Sequence, residues 1–204
     1  MSLAKIPLAG VIGSPIAHSK SPQIHGHWLK TLGLKGAYIP LHVEPEDLRQ
    51  VLEAMPKMGF IGANVTIPHK EAVIEIADII TDRAAMIGAV NTITFRADGK
   101  IQGDNTDGYG FIENLKAGAP DWVPGDGPAC VFGAGGAARA VISSLLDAGV
   151  PEILLANRTR VRAERLRSVF GNRVTVYDWS QAGTMVSHAG LVVNTTSLGM
   201  IGKS

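Results

Sequence analysis

From residue 7 onward, short apolar runs alternate with amphipathic stretches. "PLAGVIG" (7–13), "AYIPLHV" (37–43) and "GANVT" (62–66) predict strands, the last stopped by Pro68. Between them "SPQIHGHWLKTLGL" (21–34) and "PEDLRQVLEAMPKMG" (45–59) predict helices. In the first helix Ser21 is placed to cap and Pro22 sits in the first turn. "KEAVIEIADIITDRAAMIG" (70–88) predicts helix and turn, and "AVNTITF" and "KIQGDN" flank "RADG" as a hairpin. "TDGYGFIENLKAG" (106–118) predicts another capped helix.

The stretch "APDWVPGDGP" then breaks the rhythm with Pro, Gly and Asp and no periodicity, so it reads as a linker. Beyond it come strand "ACVFG", helix "GAARAVISSLLDAG", strand "EILLANR", helix "TRVRAERLRSVFG", and the strands "RVTVYDW" and "GLVVNTT". Strands joined by helices indicate a parallel, doubly wound sheet. The expected organisation is α/β throughout: an N-terminal α/β domain over 1–117, a linker over 118–128, and a Rossmann-type domain over 129–204. The chain stops at "NTTSLGMIGKS", inside a loop after a strand, so the second domain is expected to be truncated at its C-terminal end.

Composition narrows the function classes. With 46% apolar and 18% charged residues and a net charge of +1, the 204-residue chain is expected to fold, and it has no electrostatic footprint for nucleic acid or an anionic membrane. No signal peptide or spanning segment is evident. Cys130 is the single cysteine, so no internal disulfide can form and a reducing cytoplasm is expected. Its place in a strand makes it a buried small hydrophobe rather than a nucleophile. No H-E-x-x-H or paired Cys/His spacing occurs, His25 and His27 do not share a helix face, and no metal is expected.

"VFGAGGAARA" fits G-x-G-x-x-A between a strand and a helix, with Gly133, Gly135 and Ala138 in the three positions. Such glycines let the backbone turn tightly and approach a pyrophosphate at the helix N-terminus. The next strand ends "ANRTRVR", with no acid where an NAD site would bond the ribose 2′-hydroxyl. Arg158 can instead pair with a 2′-phosphate, with Arg162 one turn on as a second clamp. The cofactor expected is therefore NADP, while Arg160, Arg165 and Arg167 read as a solvated helix face.

The loop "GSPIAHSKSPQIH" follows the first strand, where open α/β sheets bind ligands. Its Ser19 and Ser21 could hold a small anion, or serve only as turn and cap residues. Thr66 and Lys70 in "NVTIPHK", Asn91 in "AVNT" and Asp107 in "GDNTDG" are polar sets at the ends of apolar runs. A lysine near an aspartate suits oxidation of a secondary alcohol, the amine taking the hydroxyl proton.

In this order "GSPIAHSKSPQIH", "GANVTIPHK", "GAVNT", "GDNTDGYG", "GAGGAARA", "ANRT" and "NTTSLGM" closely resemble the shikimate dehydrogenase family over practically the whole chain. The resemblance implies reversible, NADP-linked interconversion of shikimate and 3-dehydroshikimate, on the route to chorismate and the aromatic amino acids. It implies that Ser19 and Ser21 hold the substrate carboxylate and that Thr66, Asn91 and Asp107 bind ring hydroxyls. Lys70, as proton acceptor, and Asp107 are the implied catalytic pair. Gly133, Ala134, Gly135, Gly136 and Ala137 are implied at the pyrophosphate, and Asn157, Arg158, Thr159 and Arg162 at the adenosine ribose phosphate. Asp82 matches an acidic position near the cofactor. The implied enzyme is cytoplasmic, a monomer or homodimer, and acts on small molecules.

Family members often carry "SPxxHN" where this chain has Gly26, and they draw a tyrosine and a glutamine from beyond the position of Ser204. A chain truly ending there is expected to be unstable and to turn over little. The nearest rival readings are an NAD-linked quinate or dual quinate/shikimate dehydrogenase and glutamyl-tRNA reductase. The first needs an acid where Arg158 stands, and the second a cysteine in the N-terminal half. A non-catalytic NADP- or metabolite-sensing module is the rival from another class, and the retained Lys70 and Asp107 argue against it.

Overall fold

The computed structural model describes residues 6–199; residues 1–5 and 200–204, including Met200 of the "NTTSLGM" motif and the chain end read as a truncation, lie outside it. The chain forms two compact units, Met1–Thr106 and Asp107–Ser204.

The first unit runs β1 (Leu8–Gly13), α1 (Ser21–Thr31), β2 (Ala37–His42), α2 (Leu48–Ala54), β3 (Gly62–Val65), β4 (Ile79–Ile80), α3 (Asp82–Ile87), β5 (Thr92–Phe95) and β6 (Ile101–Asp104). The strands form one sheet in the order β2-β1-β3-β5-β6-β4. β1 is parallel to β2 and β3, and β4 to β6, whereas β5 runs antiparallel to both its neighbours. The first residues of β5 therefore lie at the same sheet edge as the last residues of β1, β3 and β6. That edge collects the loops that carry the polar motifs.

One sheet face is closed by α2, which buries Leu48 and Leu52 with Ile12, Met55, Val65 and Ile93. Fully burying a side chain of this kind contributes about 1.5–3 kcal/mol, so this layer fixes the position of β1, β3 and β5. The opposite face meets α1, none of whose residues is fully buried. The hairpin forms as expected, with Thr92 opposite Asp104 and Phe95 opposite Ile101.

Two local expectations are corrected. Ser21 is the first helical residue of α1 and not its cap; Lys20 occupies the cap position without a side-chain bond. The Ser19 hydroxyl oxygen accepts the Ser21 N–H instead, at 3.3 Å, so a first-turn donor is satisfied from one residue further out. Residues 70–88 are not one helix and a turn but a 3-10 turn (Ala72–Glu75), the short β4, and α3. Asp78 N–H donates to Ile101 O at 2.9 Å and Asp78 Oδ2 accepts from Ile101 N at 2.8 Å. This pairing with β6 overrides the helical propensity of the stretch. Thr81 then caps α3 through a bond from Ala84 N, and Gly88, at φ +70°, ends it.

The second unit runs α4 (Asp107–Gly118), β7 (Ala129–Phe132), α5 (Gly136–Asp147), β8 (Ile153–Ala156), α6 (Arg160–Phe170), β9 (Val174–Tyr177), α7 (Ala182–Ser187) and β10 (Leu191–Asn194). Its sheet is wholly parallel, in the order β10-β7-β8-β9, and β7 and β8 are apolar along their length because both faces are covered. Ala129, Val131, Ile153 and Leu155 pack with α5 and α6, while Cys130, Leu154 and Ala156 pack with Met185 of α7. Cys130 is a buried core residue whose thiol is pushed up to about 11 by burial, in line with a packing role.

The helix α4, which the sequence reading groups with the N-terminal domain, packs in the second unit. Its Ile112 joins the cluster of Val141 and Leu145. A Cβ on Gly108 would stand 2.9 Å from Ala140 O, so the glycine is what lets α4 approach α5.

Candidate functional site

In the first unit the loop after β1 leads into α1, where Ser19 and Ser21 are both half-buried. His25 of α1 stacks on Tyr38 of β2, with ring centroids 3.8 Å apart. Tyr38 in turn donates to Asn64 Oδ1 on β3 at 2.7 Å. Asn64 Nδ2 donates to Asn91 O at 3.3 Å and to Thr92 Oγ1 at 3.4 Å. Thr92 Oγ1 donates to Asn91 Oδ1 at 2.8 Å, and the Thr106 N–H donates to the same oxygen at 3.0 Å. Asn91, only 8% exposed, also gives its amide hydrogen to Thr106 Oγ1 at 3.2 Å. A continuous polar chain thus joins Tyr38, Asn64, Asn91 and Thr106.

Thr66 and Lys70 lie on the turn after β3. The Thr66 N–H donates to Ile12 O at 2.9 Å, and Lys70 O accepts from Val90 N at 2.7 Å. Between them His69, 1% exposed, is bonded through Nε2 to Val43 O at 2.8 Å, and its burial lowers the imidazole below the usual histidine range. A buried ring tied to β2's exit pins this turn from beneath and fixes the path of Lys70. Gly26, the departure from the resembled pattern, is exposed on α1 with nothing within 4 Å of a would-be Cβ, so it disturbs no packing.

At the end of β6 the Arg83 guanidinium holds both oxygens of Asp104, and Asp104 Oδ1 also accepts from the Thr81 hydroxyl and the Asn105 N–H, each at 2.7 Å. The guanidinium first, and then these donors, bring the Asp104 carboxyl down to about 2 from 3.8. Because the folded value is depressed, its stabilisation is present above the unfolded value and is lost as pH falls through the folded one. Asp104→Asn is expected to lower stability at neutral pH by about 1–2 kcal/mol. That deficit should shrink as pH drops from about 4 toward 2; urea unfolding at a series of pH values measures it, and a pH-independent deficit would overturn the assignment. Asp107 directly follows Thr106 as the first residue of α4, in the second unit. Asp82 is exposed in the first turn of α3, beside the favourable end of that helix.

In the second unit the chain leaves β7 through Gly133, at φ +110°. Gly135 is the N-cap of α5 and supplies no side-chain oxygen, so first-turn N–H groups stay available to an anion. Nothing lies within 4 Å of a Cβ built on Gly135, whereas Ala138 is wholly buried against the sheet. The loop Gly133–Ala137 therefore fits a pyrophosphate. Gly133 answers a different constraint: its Cβ would stand 2.4 Å from Thr195 Oγ1, which donates to Phe132 O at 2.7 Å after β10. Gly133→Ala is expected to cost roughly 1–3 kcal/mol from the positive φ and the clash. Thermal unfolding and NADP titration should both register the loss; an unchanged midpoint would refute it.

At the end of β8, Asn157 Nδ2 donates to Thr159 O at 2.8 Å, closing the turn into α6. Arg158 and Arg162 are exposed there. Arg160 is engaged otherwise, bonded to Asp178 Oδ1 at 2.6 Å and to Glu164 at 3.1 Å, and Arg167 reaches Glu164 at 3.8 Å. Sequence reasoning missed Tyr38, Asn64, Thr106 and Thr195. Asn64 alone carried a signal, standing two positions before Thr66 and hence on its side of the strand.

The family described as "Shikimate dehydrogenase substrate binding domain" matches residues 11–93, and "Shikimate / quinate 5-dehydrogenase" matches residues 125–200. A relative from Roseobacter denitrificans, named "Shikimate dehydrogenase (NADP(+))", is 65% identical over 203 residues, covering 100% of this chain and 73% of the relative. Among solved structures, shikimate dehydrogenase from Aquifex aeolicus superposes with TM-score 0.88 at 37% identity, over 98% of this chain and 72% of that one. The Thermus thermophilus enzyme, solved with NADP(H) and shikimate, gives 0.82 at 40% identity over 95% and 69%.

Proposed function

The chain belongs to the shikimate dehydrogenase family, and from that premise we propose that it oxidises shikimate to 3-dehydroshikimate with NADP, reversibly, using Lys70 and Asp107 as its proton-transfer pair. The activity rests on one observation, the whole-chain likeness to relatives named as NADP-dependent shikimate dehydrogenases. The residue roles have separate support. The sheet edge where β1, β3 and β6 end and β5 begins gathers Ser19, Ser21, Thr66, Lys70 and Asn91.

In this reading Ser19 and Ser21 hold the carboxylate, and Thr66 and Asn91 accept and donate to ring hydroxyls. Lys70 takes the proton of the reacting hydroxyl, and Asp107 orients that hydroxyl and balances the charge. NADP, when bound, accepts the hydride from the same carbon, so one C–H and one O–H bond are exchanged for a C=O bond. Gly133–Ala137 would hold the pyrophosphate, and Asn157, Arg158, Thr159 and Arg162 the ribose phosphate. No helix among the described residues is long and apolar enough to cross a membrane, and the reaction is assigned to the cytoplasm.

The test is the initial rate of NADPH appearance with shikimate and NADP, run beside quinate and NAD. Turnover that depends on shikimate and NADP together supports the reading. A preference for NAD and quinate would transfer the chain to the quinate branch, and tight binding without turnover would make it a sensing module.

A further inference from the structure

We propose that His25 is a positioning residue for the substrate carboxylate, fixing the Ser21 peptide and through it the Ser19–Ser21 pair. The inference rests on the reading that these two serines hold the carboxylate. Ser21 is the first residue of α1, and its two backbone polar groups are both held by side chains. Its N–H donates to Ser19 Oγ at 3.3 Å, and its carbonyl oxygen lies 2.9 Å from His25 Nδ1. A carbonyl can only accept, so Nδ1 carries the hydrogen of this bond.

The imidazole is itself seated on the sheet. Tyr38 of β2 stacks on it with planes at 5°, and Trp28 meets it edge-on, with centroids 5.2 Å apart and planes at 67°. Tyr38 is anchored in turn, its hydroxyl donating to Asn64 Oδ1 on β3 at 2.7 Å, and Asn64 Nδ2 donates to Asn91 O at 3.3 Å. The serines at one end of the proposed substrate and Asn91 at the other thus stand on one frame, with His25 joining α1 to it. No residue of α1 is fully buried, whereas α2 buries Leu48 and Leu52. Apolar packing therefore holds α1 less firmly than α2, and the aromatic seat matters more.

The direction of a serine hydroxyl follows the tilt of its own peptide, and a hydrogen bond weakens steeply once its angle falls below about 120°. Loss of the His25 bond frees that tilt, so it costs affinity for the anion and spares the groups that meet ring hydroxyls. A bond from a side chain to the carbonyl four residues earlier that served the helix alone would change stability and leave ligand discrimination untouched. Two substitutions separate the bond from the stack. Phenylalanine at position 25 keeps an aromatic ring on Tyr38 and loses the N–H. Asparagine places an amide N–H where Nδ1 stands and loses the ring.

Isothermal titration calorimetry of the full chain, His25→Phe, His25→Asn and Ser21→Ala tests this, with thermal midpoints as the folding check. The probes are shikimate, its neutral methyl ester (by competition against shikimate) and NADP. His25→Phe is expected to weaken shikimate about fivefold to tenfold and to leave the ester and NADP within about twofold, because the lost affinity belongs to charge-assisted bonds. Ser21→Ala should show the same pattern more strongly, and His25→Asn should bind shikimate within about threefold of the wild type. His25→Leu, which also lacks the N–H, replaces His25→Phe if that variant does not fold. An unchanged shikimate Kd in His25→Phe, beside a loss in Ser21→Ala, overturns the role of His25. Equal losses for acid and ester with a lowered midpoint make the residue structural and overturn it too, as does His25→Asn binding as weakly as His25→Phe. An unchanged Kd in Ser21→Ala overturns the carboxylate reading itself and this inference with it.

Discussion

Lys70→Ala is expected to reduce turnover by about 10²–10⁴-fold, the range of a lost general acid–base group, while shikimate Kd changes by less than about tenfold. The asymmetry follows from where the interaction is made. In the proposed reading the carboxylate and ring hydroxyls are held by other groups, so removing the amine leaves most ground-state contacts in place. Oxidation of a secondary alcohol cannot proceed without a destination for the hydroxyl proton, and that demand arises only as the C–H bond breaks. Lys70→Arg sharpens the test. Arginine retains the positive charge but effectively never gives up its proton to become an acceptor. It should therefore be nearly as inactive as alanine if Lys70 takes the proton, and substantially active if Lys70 only supplies charge. The turn that carries Lys70 is braced by the buried His69 on Val43 and by Val90 N on Lys70 O, so neither substitution is expected to move the backbone. Stopped-flow rates and calorimetry together decide it; normal turnover in Lys70→Ala would end the assignment.

What could be read from the chain beforehand depended on how local the cause was. The glycine loop and the parallel strands β7 and β8 were legible because a strand, a tight turn and a helix N-terminus follow one another within a few residues. The hairpin at 96–99 was legible for the same reason, its turn residues being contiguous. Residues 70–88 were not, since the deciding bonds run from Asp78 to Ile101, and sequence pattern carries no record of a partner 23 residues away. The Tyr38–Asn64 bond spans 26 residues and crosses an intervening strand, so no local pattern announces the pairing, although Asn64 itself lies in a quoted motif. The packing of α4 escaped as well: the linker composition marks where the chain is irregular, whereas the unit boundary is set by the close approach of Gly108 to α5. Motifs thus named the candidate residues, whereas the tertiary bonds around them join residues far apart in the chain.

Cofactor choice provides the other large effect. Arg158→Ala is expected to lower kcat/KM for NADP by roughly 10–100-fold and to leave that for NAD within about twofold, since a hydrogen bond to a charged group contributes about 1.5–3 kcal/mol. The size of the effect depends on which arginines are available. Five arginines lie between residues 158 and 167, and a count of charge alone would predict that losing one matters little. Arg160, however, is committed to Asp178 and Glu164, and Arg167 lies against Glu164. Arg158 directly follows Asn157, at the end of β8, where a 2′-phosphate would sit in this fold. Arg160→Ala should accordingly leave the NADP/NAD ratio unchanged, and Arg162→Ala should fall between the two. Removing Arg158 and Arg162 together should bring the ratio close to unity without creating an efficient NAD enzyme, because no carboxylate stands there to receive the ribose 2′-hydroxyl. Equal losses with NADP and NAD in Arg158→Ala would mean that the side chain holds the loop rather than the phosphate.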